Sequence, residues 1–180
     1  TTALGPLAQS ADAIGERLRS DRVAARIVDR DHTLWKPDPE EISNRLGWLD
    51  SPRVMANAID EIGAVVTRAR AEGLTHALLL GMGGSSLAPE VFRRVFGVAD
   101  GHLDLAVLDS TDPAAVAAVT EPLDPARTLF LPATKSGGTV ETLSFLKYCY
   151  GLTVDAVGRP AAGRHFAAIT DPGSGLEEMA

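Results

Sequence analysis

Short apolar runs alternate with helical patterns along residues 51–180. The apolar runs predict four strands, at residues 75–80, 103–108, 128–131 and 166–170. Helical patterns stand between them, at 55–69, at 87–96, from 113 onward and at 139–152. Continuous apolar strands separated by helices are typical of a parallel sheet that is covered on both faces. We therefore predict an α/β fold built on a doubly wound parallel sheet.

Residues 1–50 carry helix signals only. Apolar residues recur at intervals of three and four, and the pattern resumes after Ser20-Asp21; the first set is Leu7, Ala11, Ile14 and Leu18. A further short helix is expected near residues 40–46, between turns. We predict a helical N-terminal arm at residues 1–50 and an α/β domain at residues 51–180.

Charge and cysteine content narrow the function classes. The formal net charge is −7 over 180 residues, which disfavours a nucleic-acid surface because phosphate polyanions would be repelled. Cys149 is the only cysteine, so an intramolecular disulfide and a cysteine-cluster zinc site are both excluded. The apolar runs are too short to cross a bilayer. We expect a soluble, cytoplasmic protein with neither a nucleic-acid nor a membrane partner.

Two glycine-rich loops each follow an apolar run and open a helical pattern. Loop one is Gly81-Met82-Gly83-Gly84-Ser85-Ser86, and loop two is Thr134-Lys135-Ser136-Gly137-Gly138-Thr139. At a strand-to-helix turn, backbone N–H groups lack intrahelical partners and the helix dipole favours negative charge. Hydroxyls and the Lys135 ammonium add polar groups that a turn built only for geometry does not need. If the two loops meet in space, they are predicted to form a binding site for one phosphate group.

A dinucleotide site is the main competing interpretation. Gly81, Gly83 and Asp109 partly match its fingerprint, but Ser86 stands where the third glycine would allow close helix packing. Neither loop fits a Walker A motif, because Lys135 precedes its glycines. The sequence therefore disfavours nucleotide binding without excluding it, and the alternative predicts NAD binding that depends on Asp109.

Both loops carry a family resemblance. Residues 81–89 and 134–142 resemble the two sugar-phosphate loops of glucose-6-phosphate isomerases, which are built on the flavodoxin-like SIS (sugar isomerase) fold. The match extends through residues 108–113 and 168–172. Residues 31–35 and 45–50 are similar to the isomerase part of bacterial transaldolase/glucose-6-phosphate isomerase fusion proteins. The resemblance covers almost the whole chain but only the amino-terminal half of an isomerase.

The resemblance implies a set of substrate-phosphate ligands: Gly84, Ser85, Thr134, Lys135, Ser136 and Thr139. It also implies interconversion of glucose 6-phosphate and fructose 6-phosphate, in glycolysis and gluconeogenesis, with no metal or other cofactor. Gly138 stands where many relatives have a hydroxyl residue, so it is not counted as a side-chain ligand. Glu141 lies in the first turn of the predicted helix, where we expect a capping or indirect role rather than proton transfer.

The family's catalytic Glu, His, Arg and Lys lie in motifs downstream of the region covered. The chain opens on Thr1, and a helical pattern restarts at residues 174–178, so we expect a piece of a longer protein. Alone, the chain is expected to be inactive or nearly so. Its expected partners are the remaining isomerase half of the same polypeptide and, as an option, a second copy in a homodimer. The alternative is a non-catalytic SIS module that senses a phosphosugar.

Overall fold

The structure is a computed structural model that describes residues 4–180, so residues 1–3 of the predicted arm lie outside it. The chain divides into two compact units, Thr1–Asp60 and Glu61–Ala180. A single helix, α3 (Ser51–Ala71), contributes to both units. The predicted domain limit, between residues 50 and 51, lies at the start of this helix, whereas the two units divide after residue 60, inside it. The predicted limit therefore stays a prediction.

The first unit is built from helices with little buried apolar surface. Its helices are α1 (Ala8–Ser20), α2 (Val23–Val28), the start of α3, and 3-10 helices at Gly5–Leu7, His32–Leu34 and Ser43–Asp50. The helix expected at residues 40–46 was therefore misplaced, and its region forms a turn followed by a 3-10 helix around Gly47. Within residues 4–60, Leu46 is the one buried residue. Polar contacts supply local order instead.

Asp31 shows such a contact. Its carboxylate accepts hydrogen bonds from the Thr33 backbone N–H at 3.0 Å and from Arg26 Nε at 2.6 Å. The Thr33 hydroxyl also bonds to it, and this bond, followed by that of Arg26, lowers the pKa of Asp31 to about 2. The carboxylate therefore stays ionised and caps the 3-10 helix at His32–Leu34.

The second unit contains a three-stranded parallel sheet. Its strands are β1 (His76–Gly81), β2 (Asp104–Leu108) and β3 (Thr128–Ala133), in the order β2-β1-β3. From the central strand β1 the chain therefore passes to β2 on one side and then crosses to β3 on the other side. This reversal confirms the doubly wound topology, and it places the switch point between β1 and β3.

Helices α4 (Gly84–Phe96), α5 (Pro113–Thr120), α6 (Val140–Val157) and α7 (Arg159–Ala162) complete the second unit. One face of the sheet buries Leu78, Leu80 and Phe130 against α5 and α6. Leu129 belongs to a second cluster with Ala69, near the end of α3. Because neighbouring strand residues point to opposite faces, Leu129 and Phe130 place apolar contacts on both sides of the sheet. Helices on both faces are thus confirmed.

Cys149 lies in the α6 face of this core and is fully buried. Burial raises the pKa of its thiol to about 12, so Cys149 serves the packing of the core. Across residues 4–180, no helix combines the length and apolar character that a membrane span requires.

The fourth predicted strand forms only two parallel bridges to β3, Phe130↔Phe166 and Ala133↔Ile169. The Ala167 N–H donates to the Phe130 carbonyl at 3.1 Å, and the Ile169 N–H donates to the Pro132 carbonyl at 2.9 Å. Pro132 has no N–H with which to donate the intervening ladder bond. The sequence therefore predicted the place and direction of this segment but not its interruption. The helix expected from residue 174 does not form within the described residues, where residues 175–179 form turns.

Candidate functional site

Loops one and two leave the sheet side by side. Gly81, the last residue of β1, pairs with Ala133, the last residue of β3. Because these strands are parallel, both loops begin at the same carboxyl edge, at the switch point where ligands of doubly wound sheets bind. The convergence that the phosphate prediction required is therefore present.

Loop one turns directly into α4. Gly83 has φ +54° and ψ −125°, a conformation open essentially to glycine, and α4 begins at the next residue. Ser86 is fully buried and its hydroxyl donates to the Gly83 carbonyl at 3.0 Å. Gly84 is exposed and Ser85 is half-buried. The first turn of α4 thus presents Gly84 and Ser85 outward, while Ser86 fixes the turn from within.

Loop two places its polar groups at different depths. Thr134 is buried, and its hydroxyl lies 2.7 Å from that of Thr139. Lys135 and Ser136 are exposed. Within the described chain, no hydrogen bond engages the N–H groups of Ser136 or Thr139, whereas the Gly138 N–H donates to the Ser136 hydroxyl at 3.3 Å. Exposed donors and a cation therefore stand immediately before α6.

Residues 169–176, here called the brace, hold loop two from outside. The Thr134 N–H donates to the Ile169 carbonyl at 3.0 Å, and the Asp171 N–H donates to the Lys135 carbonyl at 3.2 Å. Gly137 has φ +71°, and a Cβ atom built on it would lie 2.7 Å from Ser174 Cβ. Only glycine fits between loop two and the brace.

Positive charge at the two loops comes from the helix termini and from Lys135. The N-termini of α4 and α6 lie at the two loops, so their dipoles place partial positive charge there. Lys135 adds a full positive charge and forms an ion pair with Asp171, with Nζ and Oδ2 3.3 Å apart. The side chains of Lys135 and Asp171 are 67% and 57% exposed, so solutes can reach both.

Other titratable groups take structural positions. Glu141 is half-buried in the first turn of α6. His165 is buried and donates from Nδ1 to the Thr128 carbonyl at 3.2 Å. Among residues 4–180, no three His, Cys, Asp or Glu side chains gather as a metal site.

Sequence reasoning missed the brace. Asp171 and Ser174 contact loop two although each lies more than 30 residues after it along the chain. The resemblance over residues 168–172 was a signal that this segment mattered, but it named no contact. Spacing within one loop cannot reveal a partner that is brought in by the fold.

The fold and the paired loops define a doubly wound α/β domain with two glycine-rich loops at the strand-order switch point. A family model for phosphoglucose isomerase matches residues 43–180. The chain belongs to the phosphoglucose isomerase family.

Individual relatives agree with this assignment. The chain is similar to the glucose-6-phosphate isomerase of Mycolicibacterium smegmatis, at 34% identity over 105 residues, which cover 58% of this chain and 19% of that protein. It is also similar to the Mycobacterium tuberculosis glucose-6-phosphate isomerase, at 34% identity over 121 residues, covering 62% of this chain and 22% of that protein. The chain therefore spans about a fifth of the length of these curated relatives.

Two solved structures share the fold. A hypothetical protein from Thermus thermophilus superimposes with a TM-score of 0.69 and 25% identity, over 98% of this chain and 39% of that one. A glucose-6-phosphate isomerase from Chlamydia trachomatis superimposes with a TM-score of 0.58 and 22% identity, over 71% of this chain and 25% of that one. The α/β architecture of the chain is thus that of solved relatives.

Proposed function

We propose that this chain is the sugar-phosphate-binding half of an aldose-ketose isomerase that interconverts glucose 6-phosphate and fructose 6-phosphate. The observation that carries the proposal is the pairing of Gly81 with Ala133, which sets loops one and two beside each other at one edge of the sheet, each followed by a helix N-terminus and loop two carrying Lys135. Membership in the phosphoglucose isomerase family supports the same substrate class.

In this proposal the phosphate lies over the starts of α4 and α6. Gly84 and Ser85 contribute from loop one, and Lys135 and Ser136 from loop two. Thr139 adds its hydroxyl and its N–H, while buried Thr134 acts through its 2.7 Å contact with Thr139. Charged hydrogen bonds of this kind are stronger than neutral ones, so Lys135 carries the largest single share of the binding energy.

The chemical step needs more than this grip. Aldose-ketose exchange moves a proton between neighbouring carbons through an enediolate, so it needs a general base and a group that stabilises the oxyanion. The phosphate site fixes the far end of the sugar, and that orientation lowers the entropic part of the barrier. We assign the base to the part of the family's length that this chain does not span, and Glu141 to support of the α6 terminus.

Ligand titration tests the proposal. Inorganic phosphate and fructose 6-phosphate should each raise the unfolding temperature of the chain, and isothermal calorimetry should give a dissociation constant for each. Lys135→Ala should raise both constants about tenfold, since hydrogen bonds to charged groups contribute about 1.5–3 kcal/mol and exposure reduces that value. Ser85→Ala should raise them by a smaller factor.

Lys147→Ala is the matched control, because Lys147 is an exposed lysine on α6 outside both loops. Its removal should leave both dissociation constants unchanged. Anion binding that survives both Lys135→Ala and Ser85→Ala would contradict the proposed site. Stabilisation by NAD that disappears in Asp109→Asn would instead establish the nucleotide alternative.

A further inference from the structure

Asp171 places a negative charge at a site that we propose binds a dianion. We infer that Asp171 is an internal counter-ion: it holds Lys135 in the free protein, yields it to the phosphate on binding, and thereby limits affinity. This inference rests on the proposed function, and it adds a residue that sets how tightly the site binds.

The position of Asp171 is fixed by its backbone. Its N–H donates to the carbonyl of Lys135 at 3.2 Å, and its own carbonyl accepts from the Ser174 N–H at 3.3 Å. The carboxylate of Asp171 and the ammonium of Lys135 are 3.3 Å apart. Backbone and side chain thus tie the same two residues together, which keeps the carboxylate at the loop whether or not the ion pair is formed.

Exposure makes the ion pair easy to exchange. Both side chains are more than half exposed, and an ion pair in that setting adds little stability because water and salt screen it. A phosphate held by loop amides and hydroxyls brings up to two negative charges to Lys135 and gains further hydrogen bonds that Asp171 does not make. The exchange of partners therefore favours the phosphate, but the displaced carboxylate stays nearby and repels it.

An organising role for Asp171 predicts the opposite result. If the carboxylate served to aim Lys135 at the ligand, its removal would weaken binding. If it served only to hold the brace, its removal would lower the unfolding temperature, although the backbone bonds of Asp171 survive substitution. Affinity and stability measured together therefore separate the three roles.

The experiment is calorimetric titration of the full chain with inorganic phosphate and with fructose 6-phosphate at low and high salt. Asp171→Asn should lower both dissociation constants about threefold to tenfold at low salt, with a smaller gain at high salt and a nearly unchanged unfolding temperature. Asp100→Asn is the charge-matched control, since Asp100 is exposed in the turn before β2, and it should leave both constants unchanged. In the Lys135→Ala background, Asp171→Asn should give a clearly smaller gain.

Weaker binding in Asp171→Asn, or an equal gain with and without Lys135, would overturn the inference. Suppose that removal of Lys135 weakens binding but Asp171→Asn leaves both dissociation constants unchanged. The inference would then be overturned, while the proposed function stands. If the folded chain and the folded Asp171→Asn variant both fail to bind either anion, the proposed function falls and takes the inference with it.

Discussion

Loop one and loop two occupy equivalent places after neighbouring strands, yet they are held in different ways. Beyond Gly81, whose pairing with Ala133 belongs to the sheet, the backbone hydrogen bonds of loop one span at most four residues, such as those from the Ser85 N–H to the Met82 carbonyl and from the Leu87 N–H to the Gly83 carbonyl. Loop two depends on the brace, which contacts Thr134, Lys135 and Gly137. Similar glycine-rich sequences can therefore be shaped by local geometry in one case and by distant contacts in the other.

Under the proposed function, this difference divides the work of binding the phosphate between the two loops. Loop one offers the start of a helix and few side chains, so its contribution comes mainly from the backbone. Loop two carries the cation, two further hydroxyls near the surface and a nearby carboxylate. The electrostatic tuning of the site therefore lies in loop two, and substitutions there should have the larger and more varied effects.

Gly137→Ala should give the largest loss in the free energy of unfolding, because the new methyl group would disrupt the contact between loop two and the brace. The new methyl group would lie 2.7 Å from Ser174 Cβ and 2.9 Å from the Leu176 nitrogen, at a residue with φ +71°. Strain and overpacking together should lower the free energy of unfolding by roughly 3–5 kcal/mol. Urea denaturation followed by circular dichroism measures this change.

The adjacent glycine supplies the control for that experiment. A Cβ atom on Gly138 would meet only the Ser136 hydroxyl oxygen at 4.0 Å, so Gly138→Ala should be nearly neutral for stability. Equal losses in the two variants would mean that the brace does not determine the stability of loop two.

Gly83→Ala should cost less than Gly137→Ala, because a new methyl group has space at Gly83 and none at Gly137. Among the described residues, no atom lies within 4 Å of a Cβ built on Gly83, so only the backbone conformation opposes the substitution. We expect a loss of roughly 1–3 kcal/mol in the free energy of unfolding. Gly84→Ala has equal space and no positive φ, and the same urea titration should show little loss for it. A loss in Gly83→Ala that exceeds the loss in Gly137→Ala would reverse the comparison.

The smallest expected effect concerns the carboxyl group of Glu90 in α4, the helix that follows loop one, and acid titration measures it. In α4, Glu90 accepts hydrogen bonds from Arg93 and then Arg94, and these bonds lower its pKa to about 2. The stabilisation is therefore complete above the ordinary pKa of 4.5 and declines as pH falls towards 2. Carboxyl chemical shifts followed by NMR measure the pKa directly.

Arg93→Ala should raise that pKa, and Arg94→Ala should raise it by a smaller amount, since Arg93 is the stronger partner. Asp171→Asn in the brace should leave it unchanged. A Glu90 pKa that does not respond to either arginine would show that these local ion pairs are not formed in solution.

The sequence predicted the second unit well because its signals are local. Apolar runs located the three strands, and the helical pattern from residue 113 located α5. The Asp112 carboxylate caps that helix by accepting from the Ala115 N–H at 3.0 Å. Parallel strands then required both loops to share one edge of the sheet. The family resemblance added the proposed ligand residues, which no geometry of a single loop could supply.

Long-range contacts account for what the sequence did not predict. The stripe of apolar residues in α3 indicated the helix correctly, yet Ile59 and Ile62 are exposed, because periodicity does not say what covers a face. Pro132 interrupts a ladder whose partner strand is more than 30 residues away. Asp171 is likewise an ordinary turn residue until the fold brings it to Lys135.

The burial of Cys149 has a practical consequence for spectroscopy. Its thiol is enclosed and has a pKa of about 12, so maleimide reagents should scarcely modify it near neutral pH. A cysteine introduced at exposed Ser136 could then carry a fluorophore or spin label without prior removal of the native thiol. Such a label would report changes in the environment of loop two as they occur.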